Sequence, residues 1–395
     1  MEAFFRTHRY LIEHVNAPVR RTLMDEINWS DRMIGIKGTR GVGKTTFLLQ
    51  YAKEHFDIQD KQCLYINMNN FYFQGRGIAD FAGEFYHKGG RVLLIDQVFK
   101  QNDWSRELRR CYDEHPGLKI VFTGSSVMRL KEENPELNGI VKSYNLRGFS
   151  FREFINLLTG NDFKPYTLDE ILHNHEHIIK QILPKVSPNK YFQNYIHHGF
   201  YPFFQEQRNY SENLLKTMNM MTEVDILLIK QIELKYLSKI KKLFYQLAEE
   251  GPKAPNVSKL AKDIETSRAT VMNYIKYLTD ARLLNMIYPV GEEFPKKPSK
   301  VMLHNSNLLY AIYPIHVEKQ DAMETFFVNS LWKDHKVNQG PRDSIYVVDE
   351  KIKFRICDAD SRNKIRYAPD IVYARYNTEV GKDNQIPLWL LGFLY

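Results

Sequence analysis

One stretch of the 395-residue sequence limits its possible folds more than any other: Gly38-Thr39-Arg40-Gly41-Val42-Gly43-Lys44-Thr45. The pattern G-x-x-x-x-G-K-[ST] is that of a loop that cradles phosphate. Gly38, Gly41 and Gly43 leave the backbone free to curl until its N–H groups converge on phosphate oxygens. Lys44 then reaches the β- and γ-phosphates, and the Thr45 hydroxyl holds Mg²⁺. From Thr46 the chain reads as a helix, whose N-terminal dipole favours an anion. Met33-Ile34-Gly35-Ile36-Lys37 is a short apolar run suited to a buried parallel strand. Strand, glycine loop and helix thus follow in the order the motif requires. Gly38, Thr39, Arg40, Gly41, Val42, Gly43, Lys44, Thr45 and Thr46 are the candidate ATP-binding residues.

Beyond the loop, strand-like runs at 33–37, 62–68, 91–95 and 118–123 alternate with helix-like runs at 45–55, 77–87 and 104–115. Such alternation predicts βαβ units and a parallel sheet wrapped by helices. The third run, Arg91-Val92-Leu93-Leu94-Ile95-Asp96, carries four apolar residues into an acid. Asp96 is therefore the candidate metal-associated carboxylate, with Thr45 as its partner at the ion. In the fourth run, Ile120-Val121-Phe122-Thr123-Gly124-Ser125-Ser126 puts small hydroxyl residues at a strand end. There Ser125 can face a γ-phosphate or a positioned water, or merely form a polar turn.

Composition narrows the setting. With 43% hydrophobic and 26% charged residues the chain reads as an ordinary globular protein. Cys63, Cys111 and Cys357 are scattered, with no C-x-x-C pair, as expected of buried thiols in a reducing compartment. The first residues lack the apolar core of a signal peptide, and no apolar run approaches the length of a membrane span. A cytoplasmic protein without a membrane partner is expected. The formal net charge of +8 suits an anionic partner.

Residues 150–235 read as helical and aromatic-rich, a lid behind the ATP site whose aromatics are core. His173, His175 and His177 have helical spacing but no acidic or cysteine partner that would complete a zinc site. Next, Val257–Ile264 makes a short amphipathic helix, Glu265-Thr266-Ser267 a turn, and 268–278 a second helix. Val271, Ile275 and Leu278 face a core, with Arg268, Thr270, Asn273 and Tyr274 on the other side. A strand at 283–288 follows. This is the pattern of a winged helix-turn-helix. The span 235–300 holds 13 Lys/Arg against 7 Asp/Glu. A basic module of this kind suits duplex DNA, with Arg268, Thr270, Asn273 and Lys276 as candidate contacts. The other reading is a module for protein contacts.

At this point the chain resembles the AAA-type P-loop ATPases of bacteria and archaea that carry a C-terminal nuclease-like domain. The residues that carry the likeness are Gly38 through Thr46, Leu93-Leu94-Ile95-Asp96, Trp104-Ser105-Arg106-Glu107-Leu108, 119–126, Gly148-Phe149-Ser150-Phe151-Arg152-Glu153-Phe154 and the closing 386–395. The resemblance implies an α/β P-loop NTPase core at 1–149, a helical lid or linker at 150–235, a winged helix-turn-helix at 236–299 and a small α/β nuclease-like domain at 300–395. It also exposes departures. After the Asp of the third strand such ATPases carry a Glu that polarises the attacking water, and here Gln97 stands there. An amide accepts a proton poorly, so hydrolysis is expected to be slow or absent. Leu137-Asn138-Gly139-Ile140-Val141 replaces a segment that carries arginines in relatives. In the last domain Glu324 and Asp349 are candidate remnants of a metal site. Arg355 occupies the strand where an acid is needed, so an inactive nuclease is expected. The expected function is a nucleotide-dependent switch acting on DNA or a protein partner, with ATP and Mg²⁺ as ligands and Asp96, Gln97 and Ser125 at the reacting end. The alternative is a winged-helix DNA-binding regulator in which nucleotide is structural.

Overall fold

The computed structural model describes residues 1–128, 130, 134–206, 209–227, 231–360 and 367–395. The chain divides into two compact units, Met1–Gly148 and Phe149–Tyr395.

The first unit is built on five strands: β1 (Met33–Gly38), β2 (Cys63–Asn67), β3 (Val92–Asp96), β4 (Lys119–Ser125) and β5 (Lys142–Asn145). They pair in the order β2-β3-β4-β1-β5, parallel throughout. Around them lie helices α1 (Glu2–His14), α2 (Leu23–Glu26), α3 (Lys44–His55), α4 (Ile78–His87) and α5 (Trp104–Glu114). The first four strands are continuous apolar runs because helices cover both faces of a parallel sheet. Ile34, Ile36, Leu64, Leu93, Leu94, Ile95 and Val121 are accordingly buried. Strand β1 has β4 on one side and β5 on the other, so the loop at its C-terminal end lies where the strand order reverses. In open α/β sheets that is where ligands bind. The fifth strand was not legible in the sequence. Lys142-Ser143-Tyr144-Asn145 is polar, as an edge strand exposed to water can be.

The second unit begins with α6 (Phe151–Thr159), α7 (Leu168–Ile182), α8 (Pro188–His198) and α9 (Tyr210–Met220). Helices α6 and α7 each start with a capping box, Ser150 with Glu153 and Thr167 with Glu170. Of the aromatics of 191–204, Phe192, Tyr195, Phe200 and Tyr201 are buried, while Tyr191, Phe203 and Phe204 are partly exposed. Helices Leu237–Glu250, Val257–Asp263 and Arg268–Asp280 follow. They lead into an antiparallel pair of strands, β6 (Leu284–Ile287) and β7 (Lys300–Leu303). Strand β7, which the sequence suggested as the opening of the last domain, is thus half of a ribbon whose other half follows the last of those helices. A second sheet holds β8 (Val337–Gln339), β9 (Tyr346–Val348), β10 (Ile352–Asp358), β11 (Ile371–Tyr376) and β12 (Gln385–Pro387) in the order β12-β11-β10-β9-β8. The closing Leu388–Phe393 is buried beneath it, with Trp389 edge-on to Phe393. No helix among the described residues is long and apolar enough to cross a membrane.

Candidate nucleotide-binding site

Strand β1 ends at Gly38 and α3 begins at Lys44, so the intervening loop projects from the end of a buried strand into a helix N-terminus. Gly43, the residue that caps α3, has φ 91°, and Gly41 has φ 79°. L side chains are strained there, which is why the pattern demands glycine. Gly38 is required for a different reason: a Cβ would come within 2.5 Å of the Leu146 carbonyl oxygen. Val42 anchors the loop, its side chain buried and its carbonyl accepting from Arg21 Nη1 at 3.1 Å. Arg21 also donates to the carbonyls of Arg147 at 2.7 Å and Gly148 at 3.1 Å. Lys44 Nζ donates to the carbonyls of Gly38 at 2.9 Å and Thr39 at 2.7 Å. The ammonium therefore lies over the loop's own mouth, on backbone acceptors that an anion can replace. Thr39 is buried at the loop's base, while Arg40 and Thr46 are partly exposed around it.

Asp96 is wholly buried at the end of β3 and receives donors from three directions. Thr45 Oγ1 lies 2.6 Å from its Oδ2, joining the loop to the strand. The Tyr65 hydroxyl donates to the same oxygen at 2.9 Å, with Asn67 Nδ2 at 3.4 Å. Thr123 Oγ1 donates to Oδ1. A buried carboxylate beside the Thr45 hydroxyl in the first turn of α3 is an oxygen donor pair chemically suited to a hard divalent cation, so the residues fit Mg²⁺. Burial and the adjacent Asp96 charge hold the Tyr65 phenol far above its ordinary range, so it remains a donor.

Gln97 follows Asp96 in the left-handed region at φ 56°. Its N–H donates to Thr123 Oγ1 at 2.9 Å, and its side-chain oxygen accepts from Asn69 Nδ2 at 3.2 Å. Ser125 is buried at the end of β4, in register with Gly38 of β1. Its Oγ accepts from Val127 N at 3.4 Å, so the strand's hydroxyl that reaches Asp96 is that of Thr123. The sequence reading named Thr123 among the hydroxyl residues of the fourth run but singled out Ser125, and it did not single out Tyr65 or Asn67. The signal lay in β2, Cys63-Leu64-Tyr65-Ile66-Asn67, where two polar residues share one face of an otherwise apolar strand.

In the second unit, Ser267 caps the helix Arg268–Asp280 by accepting from Thr270 N at 3.1 Å. Arg268 and Asn273 are exposed on it, and Thr270 is partly exposed. Lys276 is paired with Asp280 one turn on. Tyr274 corrects the sequence reading, for it is buried with Val271, Ile275 and Leu278. It stands at i+3 from Val271, within the stripe a packed helix turns inward. From the helix Leu237–Glu250, Lys239 and Lys242 donate to the carbonyls of Glu265 and Asp263, fastening the turn.

The two acids of the last domain have separate partners. Glu324 is buried against Lys300 Nζ at 3.1 Å and the Tyr346 hydroxyl. Asp349 accepts from His335 Nδ1 at 2.6 Å and from Lys336 N at 2.9 Å. Arg355 lies in β10, in register with Tyr373 of β11.

Comparison with known proteins places this geometry. Residues 30–155 match the family model described as an AAA domain, and 189–319 match one described as a domain of unknown function, DUF8612. The uncharacterized protein MJ1637 of Methanocaldococcus jannaschii is 26% identical over 278 residues. That match takes in 67% of this chain and 58% of the relative, so the chain spans little more than half the relative's length. Among solved structures, the ORC1 protein of Aeropyrum pernix in complex with DNA is 12% identical, covering 78% of this chain and 91% of that one, with a TM-score of 0.30. AMPPCP-bound DnaA of Aquifex aeolicus is 14% identical over 70% of this chain and 86% of that one, TM-score 0.23. PCH-2 of C. elegans is 18% identical over 40% and 45%, TM-score 0.25. Residues 30–155 thus form an AAA-type P-loop domain.

Proposed function

We propose that the chain binds Mg-ATP at the loop from Gly38 to Thr46 and uses the bound nucleotide as a switch on DNA or a protein partner, with slow or absent hydrolysis. The observation that carries the reading is the junction of Thr45 with Asp96 at 2.6 Å, directly after a loop whose lysine rests on replaceable carbonyl acceptors. In this reading Lys44 and the loop's N–H groups hold the phosphates, and Thr45 with Asp96 holds Mg²⁺. When bound, the ion supplies charge neutralisation at the phosphates. Gln97 orients water without accepting its proton, and Ser125 beside Gly38 senses the γ-phosphate. Residues 150–235 serve as the lid. The 236–299 module, winged helix-turn-helix in pattern, offers Arg268, Thr270, Asn273 and Lys276 to duplex DNA, and 300–395 docks rather than cuts.

A second reading has nucleotide as a structural ligand of a DNA-binding regulator. The surplus of basic residues in 235–300, 13 against 7 acidic, supports it. One sample decides between them: ATP binding, ATP turnover and duplex-DNA affinity are measured with and without Mg-ATP. A switch changes DNA affinity with nucleotide, a structural ligand leaves it constant, and absence of ATP binding defeats both.

A further inference from the structure

We infer that Tyr65 is a positioning residue for the metal carboxylate: its phenol, opposed by Thr123, fixes the plane of Asp96 so that Oδ2 faces Thr45. The inference rests on the Mg-ATP reading above. Strand β3 lies between β2 and β4, and each neighbour sends one hydroxyl to Asp96, Tyr65 to Oδ2 and Thr123 to Oδ1. A hydroxyl has a single proton, and in both cases a nitrogen donor commits it. Asn67 Nδ2 donates to the Tyr65 oxygen at 3.3 Å, and Gln97 N donates to Thr123 Oγ1 at 2.9 Å. Each hydroxyl already accepts, so each proton is free to point at the carboxylate.

Tyr65 is itself held. It is buried, and its backbone N–H donates to His8 Nδ1 of α1 at 3.0 Å. A phenylalanine would fill the same space, so the hydroxyl is there for what it donates to. Thr45 differs from the two clamps, because it sits on the exposed start of α3 and is free to turn from carboxylate to cation. Tyr65 and Thr123 remain on Asp96 while Thr45 exchanges. Groups that orient a metal-associated carboxylate in this way commonly contribute about 10- to 100-fold to metal affinity.

The test uses the full chain and Tyr65→Phe, with ATP affinity measured by calorimetry from EDTA through a Mg²⁺ series. The expected result is a rise of about tenfold or more in the Mg²⁺ concentration at half effect, with affinity in EDTA unchanged. Unchanged Mg²⁺ dependence, in a protein whose wild type does bind Mg-ATP, overturns the role of Tyr65. A wild type without Mg²⁺-dependent binding removes the nucleotide reading and this inference with it. If Tyr65→Phe lacks a cooperative thermal transition, Thr123→Val probes the same clamp from the opposite strand, and its Mg²⁺ dependence decides in the same way.

Discussion

The Thr45 hydroxyl stands 2.6 Å from the Asp96 carboxylate, so the last residue of the phosphate loop and the last residue of β3 already touch. These residues are 51 positions apart in the chain, and only the parallel packing of β1, β4 and β3 brings them together. The contact turns a local motif and a distant acid into one site, and the predictions begin from it.

Lys44→Ala should abolish most ATP affinity. The substitution removes an ammonium that now bridges the carbonyls of Gly38 and Thr39. Losing a charged hydrogen-bond donor costs about 1.5–3 kcal/mol, roughly one to two orders of magnitude in Kd. Calorimetry with unchanged affinity would remove the phosphate-loop reading.

Gln97→Glu should raise a slow ATP turnover. The backbone of residue 97 is already fixed beside Asp96 by the bond from its N–H to Thr123, so a carboxylate would be placed without refolding the strand end. A positioned base contributes about 10²–10⁴-fold. Rapid turnover by the protein carrying Gln97 would contradict the idea outright. A flat response to Gln97→Glu would place the missing element elsewhere, in the segment around Gly139 that lacks an arginine.

Much of the first unit was legible because its first four strands are apolar runs closed by a glycine or a polar residue, a pattern that parallel packing imposes. The loop was legible because phosphate geometry fixes residue type at fixed spacing. The residues around Asp96 were not, since Tyr65 and Thr123 act across neighbouring strands and nothing local marks which side of a strand faces which neighbour. Ser125 drew attention as the hydroxyl at a strand end, whereas the register of β4 brings Thr123 to the carboxylate. Tyr274 differs for a simpler reason: it was set on the face opposite Val271, whereas its i+3 relation to Val271 puts it in the core.

Acid should weaken the first unit through His8. Burial, aided by the nearby charge of Arg9, pushes its imidazole down to about 4 from 6.5, and Nδ1 accepts from Tyr65 N at 3.0 Å. The unfolded chain therefore binds a proton that the folded chain refuses between pH 6.5 and 4, and stability falls as pH drops through that window. At about 1.4 kcal/mol per unit, the effect is at most on the order of 3.5 kcal/mol. Asp321 acts in the opposite sense, since burial and Glu324 raise its carboxyl to about 6 from 3.8 and its contribution is lost as pH rises through that interval. Urea denaturation of wild type against His8→Gln cancels Asp321. The wild type should lose more stability between pH 7 and 4.5, and parallel curves would refute the assignment.

The last domain should not cut nucleic acid. Metal-assisted phosphodiester hydrolysis needs carboxylates that share an ion. Glu324 is occupied by Lys300 and Tyr346, and Asp349 by His335 and the Lys336 N–H. Plasmid and single-stranded DNA incubated with the protein in Mg²⁺ or Mn²⁺ should stay intact. Nicking that vanishes in Asp349→Ala but survives in Lys44→Ala would overturn this.

Duplex DNA should bind the full chain with a negative salt slope that Arg268 helps to set. Each phosphate contact releases counterions and adds about −0.9 to the slope of log K against log salt. Arg268 is exposed at the start of its helix, the position from which a second helix meets DNA, and Arg268→Ala should flatten the slope by about one unit. Lys276 is paired with Asp280, so its charge is already spent and Lys276→Ala should change the slope less. Asn273 is exposed one turn further along, where an amide can pair with an adenine edge, so Asn273→Ala should reduce sequence discrimination more than it reduces the slope. Fluorescence anisotropy across a salt series separates the three. Equal slopes for wild type and Arg268→Ala, or no binding at low salt, would assign this helix to protein contacts instead.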